Sequence, residues 1–209
     1  MKRISDLLKP FLSVIFGALL LLVHFNWLGS EGGFLALGII AVVLAAYFIT
    51  VGVLGSCLGD KFPPKTKSLL NAVGVGAYPL FLGVYFLVVF ILSIKYEAAI
   101  GPMGWTILVF SMLASLGLGV LFLCAFFLKK HFFIRSTFLF SALFVLVLIL
   151  DVLVLNGDPI RLGNIVVLEV VLYAVFSGML FSSLKVLQEE YRSTSKKEAK
   201  PEEAKEEKK

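Results

Sequence analysis

Six long apolar stretches dominate the sequence and decide what the chain can fold into. A helix needs roughly 20 mostly apolar residues to cross a bilayer, because each residue adds about 1.5 Å and the hydrocarbon layer is about 30 Å thick. The stretches are continuously apolar, which favours helices over membrane β-strands, in which apolar and polar residues alternate. The predicted spans cover residues 11–28, 34–54, 69–94, 105–128, 132–155 and 165–187.

The composition agrees with a membrane protein. Of the 209 residues, 59% are apolar and 16% are charged, whereas soluble domains carry about 25% charged residues. This excludes a water-soluble enzyme, a nucleic-acid-binding domain and a wholly disordered chain. We therefore predict an all-α, polytopic membrane protein in which residues 1–187 form a six-helix, up-down transmembrane bundle joined by short loops. The first span is longer than the apolar part of a signal peptide, so we expect it to be retained.

The positions of lysine and arginine predict the orientation of the bundle. All 19 basic residues except Lys95 and Arg161 fall on one side of the predicted spans. The side that is richer in lysine and arginine is normally cytoplasmic. We therefore expect a multi-pass protein of the cell membrane with both termini in the cytoplasm and the loops near Glu31, Glu97 and Asp158 outside.

The C-terminal segment, residues 188–209, has a different composition from the rest of the chain. It holds seven acidic and seven basic side chains and has no apolar face. Such a segment cannot bury a core, which predicts a disordered, charged cytoplasmic tail. The alternative is an arm that docks a cytoplasmic partner. The net charge of +5 then comes from residues beside the membrane, which indicates contact with anionic lipid heads and not with nucleic acid.

Ionisable residues inside the spans are the first candidates for a functional site. Asp151, Glu169 and His24 lie at similar depths near the outer boundary, and Arg161 is in the loop that joins the last two spans. Charged groups in a membrane usually face the bundle interior or a wet cavity. If the two carboxylates meet, they could share a proton or bind a cation, with Arg161 or His24 as a counter-charge. The alternatives are a structural hydrogen-bond cluster, or side chains that each extend to the headgroups.

The third span carries residues that disturb a helix. Pro79 lacks an N–H and leaves one carbonyl without its helical donor near the middle of the membrane. Tyr78 directly precedes Pro79, and Asn71 lies about two turns earlier. Transporters place broken helices at substrate sites, although proline kinks also occur in helices that bind nothing.

In the sixth span, Tyr173 and Ser177 continue a polar line inward from Glu169 at a spacing of four residues.

Small residues repeat every four positions in two spans. Such stripes let helix backbones approach closely, because lipid offers no hydrophobic gain for helix association. We expect both stripes to pack against helices, either of this chain or of another subunit. The stripes are Ser111, Ser115 and Gly119 in the fourth span and Ala174, Gly178 and Ser182 in the sixth.

Catalytic and metal-binding patterns are missing from the sequence. There is no H-E-x-x-H motif and no G-x-x-x-x-G-K-[ST] motif, and the two histidines, His24 and His131, fall at opposite faces of the bundle. Cys57 and Cys124 lie near the predicted cytoplasmic ends of their helices, where a disulfide is not expected, and their spacing fits no metal motif. We predict neither an enzyme nor a bound cofactor or metal.

Two functions fit these features. In length and number of spans the chain resembles the substrate-binding subunits of energy-coupled vitamin transporters, but the two share no motif and the resemblance assigns no family. One hypothesis is a protein that handles a small solute or ion, alone or as the membrane subunit of a transporter. The alternative is a non-catalytic structural or assembly subunit of a membrane complex, which binds other membrane subunits or, through its tail, a cytoplasmic partner.

Overall fold

The protein is all-helical in the part of the chain that the structure describes. A computed structural model describes residues 4–58, 61, 63–96, 101–150 and 164–206, and no β-strand occurs among them. Six of its helices contain a segment long and apolar enough to cross a membrane, which confirms the predicted number of spans. The helices are α1 (Ile4–His24), α2 (Gly33–Leu58), α3 (Pro64–Lys95), α4 (Pro102–Leu128), α5 (His131–Leu150) and α6 (Asn164–Glu206).

The first predicted span, residues 11–28, corresponds to the apolar segment Pro10–Gly29, but the α-helix itself is placed differently. α1 begins at Ile4, so Pro10, which directly precedes the predicted span, lies inside the helix. Pro10 has no N–H, and the carbonyl four residues earlier therefore lacks its helical donor. The α-helix ends at His24, and the chain continues as a tighter 3₁₀ helix over Phe25–Gly29, where an α-helix was predicted to reach residue 28. Helix ends often tighten in this way.

The end of the fifth predicted span is not tested, and the sixth helix extends further than its predicted span. The fifth span was predicted to reach residue 155, but residues 151–163 lie outside the described part of the chain. α6 does not end with its apolar segment at Glu189. It continues to Glu206, through most of the segment for which the composition predicts a disordered tail. The tail is rich in glutamate and lysine, which have high intrinsic helix propensity.

The six helices form a closed ring. Each helix packs against the helices that precede and follow it in the chain, and α1 also packs against α6. α3 contacts α6 across the interior. Positions on α1 and α2 meet in opposite order, because Pro10 lies beside Gly52 and Gly17 lies beside Ala45.

Small residues let α1 and α2 approach each other closely. A Cβ placed on Gly52 would lie 2.6 Å from the Pro10 carbonyl oxygen, and one on Gly17 would lie 2.7 Å from the Ala45 carbonyl oxygen. Real Cβ atoms do not come so close, so these positions require glycine. Six buried residues of α2 recur at alternating spacings of three and four positions, which is the pattern of coiled-coil packing. They are Gly38, Ala41, Ala45, Phe48, Gly52 and Gly55.

The outside of the bundle is apolar. Large side chains such as Phe11, Val43, Phe110 and Leu139 are exposed along the helices. An apolar surface of this extent suits lipid and not water. α3 and α4 are the most enclosed helices, with 44% of their most apolar segment buried, against 28% for α2 and α6. The protein is therefore a membrane-embedded, multi-pass bundle in which α3 and α4 lie deepest.

Candidate functional site

The interior of the bundle is filled by aromatic rings from five helices. We call these rings the central aromatic cluster. The ring centroid of Phe16 lies 4.6 Å from that of Phe48 and 4.9 Å from that of Tyr78. The Phe176 ring lies 4.5 Å from Tyr78 and 5.9 Å from Phe144. Most of these pairs meet edge to face or tilted, as aromatic pairs prefer, and every ring is at most 2% exposed.

α3 remains helical across Pro79. It runs from Pro64 to Lys95 as one helix with Pro79 inside, so the predicted helix break is not present. Contacts with α4 hold α3 on both sides of the proline. A Cβ on Gly76 would meet the Leu123 side chain and one on Gly83 would meet Leu116. Neighbouring helices allow a membrane helix to tolerate a proline in this way.

The residues beside Pro79 have separate environments. Tyr78 is fully buried and belongs to the central aromatic cluster. Asn71 is half-buried, nearer the start of α3. Next to it, the Tyr47 hydroxyl of α2 donates a hydrogen bond of 2.7 Å to the Leu70 carbonyl. The structure therefore does not gather Tyr78 and Asn71 into one polar site.

Several hydroxyl groups in the spans bond to their own helix. The Ser111 hydroxyl donates to the Ile107 carbonyl at 2.8 Å, and the Ser177 hydroxyl donates to the Tyr173 carbonyl at 2.7 Å. Thr137 and Ser141 make bonds of the same kind. A hydrogen bond to the same helix gives the hydroxyl a partner where lipid supplies none. These groups therefore do not form a polar line between helices.

His24 is enclosed by aromatic rings. It is 5% exposed, and its Nδ1 lies 3.0 Å from the Leu20 carbonyl oxygen of the same helix. Its ring meets Trp27 edge-on at 4.3 Å and Phe81 at 5.5 Å. Trp27 in turn stacks on Tyr85 at 5.0 Å. We call His24, Trp27, Phe81 and Tyr85 the Trp27 cluster, and it joins α1, the 3₁₀ helix and α3.

The predicted carboxylate pair is described only in part. Asp151 and Arg161 lie outside the described residues. Glu169 is half-buried on α6. It precedes the fully buried Leu172 and Phe176 by three and seven residues, so it shares the face that α6 turns to the interior. Tyr173 and Ser177 are also half-buried, at the edge of that face.

The two stripes of small residues lie in different places. On α4, Ser111 and Ser115 are fully buried, and a Cβ on Gly119 would lie 2.5 Å from Leu80 Cγ and 3.0 Å from the Gly76 carbonyl oxygen. This stripe packs against α3. The Ser115 hydroxyl has no hydrogen-bond partner within the described part of the chain.

On α6, Ala174 and Gly178 are exposed and Ser182 is half-buried. No described atom lies within 4 Å of a Cβ placed on Gly178. This stripe therefore faces away from the other helices of the chain.

Metal-ligating side chains do not gather among the described residues. No three or more histidine, cysteine, aspartate or glutamate side chains there are placed to hold a metal ion. Cys57 is exposed, Cys124 is half-buried, and both are free thiols.

Sequence reasoning missed the central aromatic cluster, the Trp27 cluster and the regularly spaced buried residues of α2, Gly38 to Gly55. The third could have been found, because its alternating spacing of three and four residues is visible in the sequence. The aromatic clusters carry no such signal. The chain has 20 phenylalanines, and the sequence does not show which of them turn inward.

Comparisons of the chain with models of protein families, with curated proteins and with solved structures found no match. The fold alone defines its class, a multi-pass, all-α protein of a membrane. Its function has to be inferred from its own geometry.

Proposed function

We propose that this protein is a non-catalytic structural subunit of a membrane complex, and that its bundle is a packed scaffold. The central aromatic cluster carries the proposal. Rings from α1, α2, α3, α5 and α6 meet within 4.5 to 5.9 Å at the middle of the bundle. A solute crossing the bundle would have to separate these rings, and their packing would be lost.

The polar groups support the same proposal. The hydroxyls of Ser111, Thr137, Ser141 and Ser177 bond to carbonyls of their own helices. His24 bonds to its own helix and is enclosed by rings. Groups arranged in this way stabilise a membrane fold and leave few donors or acceptors for a passing solute.

The outward face of α6 is the surface on which we expect a transmembrane helix of another subunit. Within α1 to α4, glycines such as Gly17, Gly52 and Gly119 each admit a neighbouring helix. Gly178 lies in the apolar segment of α6 and has open space beside it. Glycine costs about 1 kcal/mol relative to alanine inside a helix, and a close helix contact would offset that cost.

We further infer an up-down bundle with both termini in the cytoplasm. The opposed contacts of α1 and α2 support the alternation, since Pro10 lies beside Gly52 and Gly17 lies beside Ala45. The distribution of lysine and arginine supports the sidedness. In this orientation α6 extends beyond its span into the cytoplasm, where residues 188–209 would be available to a cytoplasmic partner.

Native mass spectrometry of the gently extracted protein tests the proposal. We expect the wild type to retain a partner subunit at a fixed stoichiometry, and A174L/G178L to lose it. The control is A46L/A142L, since Ala46 and Ala142 are exposed small residues on α2 and α5. This control should keep the partner. A wild type that is monomeric and carries a bound small molecule would contradict the proposal.

A second candidate function is the handling of a small solute or ion at the outer end of the bundle. The position of Glu169 favours it, because this carboxylate is half-buried on the inward face of α6. If it holds a ligand, E169Q should lose a small molecule or ion that the extracted wild type retains. E189Q is the control, since Glu189 is exposed at the other end of the span. If the wild type, E169Q and E189Q all carry the same bound species, or none, this candidate is excluded.

A further inference from the structure

The turn between α4 and α5 is short and strongly basic. Lys129 and Lys130 alone connect the two helices, and both are exposed. Lys129 adopts a left-handed conformation with φ of 50°, and its N–H bonds to the Ala125 carbonyl at 3.1 Å. Arg135, about one turn into α5, is also exposed. We call Lys129, Lys130 and Arg135 the basic turn.

The two helices that meet at the basic turn affect its cations differently. Lys129 closes the C-terminal end of α4, where the helix dipole favours a positive charge. Lys130 and Arg135 flank the first turn of α5, which contains no acidic residue, and the dipole there disfavours a cation. α4 and α5 contain no acidic residue, and the dipole of α5 leaves Lys130 and Arg135 suited to an external anion. α6 reaches the same end of the bundle, where the Tyr191 ring lies 5.5 Å from the His131 ring.

Exposed apolar side chains border the same cations. Phe132 is 70% exposed and Phe127 is 62% exposed, and both lie in the terminal turns of their spans. The turn between α2 and α3 also has exposed lysines, Lys61 and Lys65, and the aromatic residue between them in the sequence, Phe62, lies outside the described residues. The basic turn thus combines cations with exposed rings at the end of a bilayer-crossing segment.

This combination distinguishes a lipid from other anions. A dissolved phosphate would need the cations alone, and an acidic soluble protein would not contact rings at the level of the acyl chains. An anionic phospholipid presents a phosphate group above an apolar chain, and basic sites between membrane helices bind such headgroups. Both parts of the surface are then used.

We propose that the basic turn binds the headgroup of an anionic phospholipid, with Lys130 and Arg135 at the phosphate and Phe127, on the membrane side of the turn, beside the acyl chains. The site is independent of the assembly proposed for α6. It requires only that the bundle lies in a bilayer.

The test is native mass spectrometry of the full-length protein in a neutral detergent, titrated with phosphatidylglycerol or with phosphatidylcholine. One cation near an anionic surface strengthens binding by roughly fivefold. K130Q/R135Q should therefore weaken the binding of phosphatidylglycerol by about 20-fold and leave that of phosphatidylcholine unchanged. K130R/R135K keeps both charges and should bind as the wild type does, which shows that the loss comes from charge and not from misfolding.

The matched control is K61Q/K65Q, which removes the same charge from the turn between α2 and α3. We expect it to change phosphatidylglycerol binding by less than about threefold, because these lysines lie outside the site. An equal loss in K61Q/K65Q and K130Q/R135Q would overturn the proposal, as would no loss in either. Full competition by glycerol phosphate at the concentration of the lipid would also overturn it, since the acyl chain would then contribute nothing.

Discussion

α4 and α6 carry the same spacing of small residues and use it in opposite directions. On α4, Ser115 is fully buried and Gly119 lies against Leu80 of α3. On α6, Ala174 is exposed and Gly178 has open space beside it. A four-residue repeat of small residues thus indicates where a helix can be approached closely, and it does not say by which helix.

The other residues of each helix decide the direction. α6 has a second line of large apolar residues, Leu172, Phe176 and Leu180, and all three are fully buried. This line takes the inward face, and the small residues are left on the outward face. α4 turns its small residues inward, which brings its backbone close to Gly76 of α3. The predictions below test this difference, from the largest effect to the smallest.

Gly119→Leu should destabilise the bundle most. Its side chain would need the space occupied by Leu80 and the Gly76 backbone, and overpacking of this kind costs about 3 kcal/mol. Reversible unfolding of the purified protein in mixed micelles measures the change in the free energy of unfolding. A loss below about 1 kcal/mol would show that α4 does not rely on this stripe.

Phe176→Ala should have the next largest effect. It opens a cavity in the central aromatic cluster, where Phe176 meets Tyr78 at 4.5 Å, and we expect a loss of about 2 kcal/mol or more from lost packing. Phe181→Ala is the control, because Phe181 is 48% exposed on the same helix. Equal losses for the two variants in the same unfolding assay would refute the inward direction of the Phe176 face.

Tyr47→Phe should have a smaller effect. It removes only the hydroxyl that donates to the Leu70 carbonyl at 2.7 Å. Hydrogen bonds between membrane helices contribute about 0.6 kcal/mol on average, and we expect a loss of that size. Tyr96→Phe, at a 70% exposed position, should leave the free energy of unfolding unchanged. If both variants behave alike, the hydrogen bond does not join α2 to α3.

Gly178→Leu should change the stability of the isolated chain least. Nothing described lies within 4 Å of the added Cβ, and leucine is the better helix former by roughly 0.8 kcal/mol. We therefore expect an unchanged or slightly higher free energy of unfolding. A loss comparable to that of Gly119→Leu would mean that the α6 stripe also packs within the chain.

The six spans could be predicted because a bilayer restricts a helix to a certain length and composition, which the sequence displays directly. The details that failed depend on contacts between helices. Both Pro10 and Pro79 lie inside helices, α1 and α3. Contacts of Gly76 and Gly83 with α4 support α3 on either side of Pro79. Sequence distance also gave no information on which rings enclose His24.

The candidate polar site was the least predictable part. Glu169 could be placed near the outer end of its span from the sequence, and the structure adds that it shares the inward face of α6. Its proposed partners Asp151 and Arg161 lie outside the described residues. The hydroxyl line below Glu169 looked like a pathway in the sequence, but Ser177 bonds to the Tyr173 carbonyl. Spacing alone does not show whether a hydroxyl bonds to its own helix.

Site-specific photo-crosslinking in intact membranes tests the central claim most directly. A photoreactive residue would replace Gly178 on the outward face of α6 or, as a control, Ala142 on the exposed face of α5. We predict one discrete protein adduct from position 178 and only lipid adducts from position 142. Lipid adducts alone at both positions would contradict the claim that this bundle is a subunit that assembles through α6.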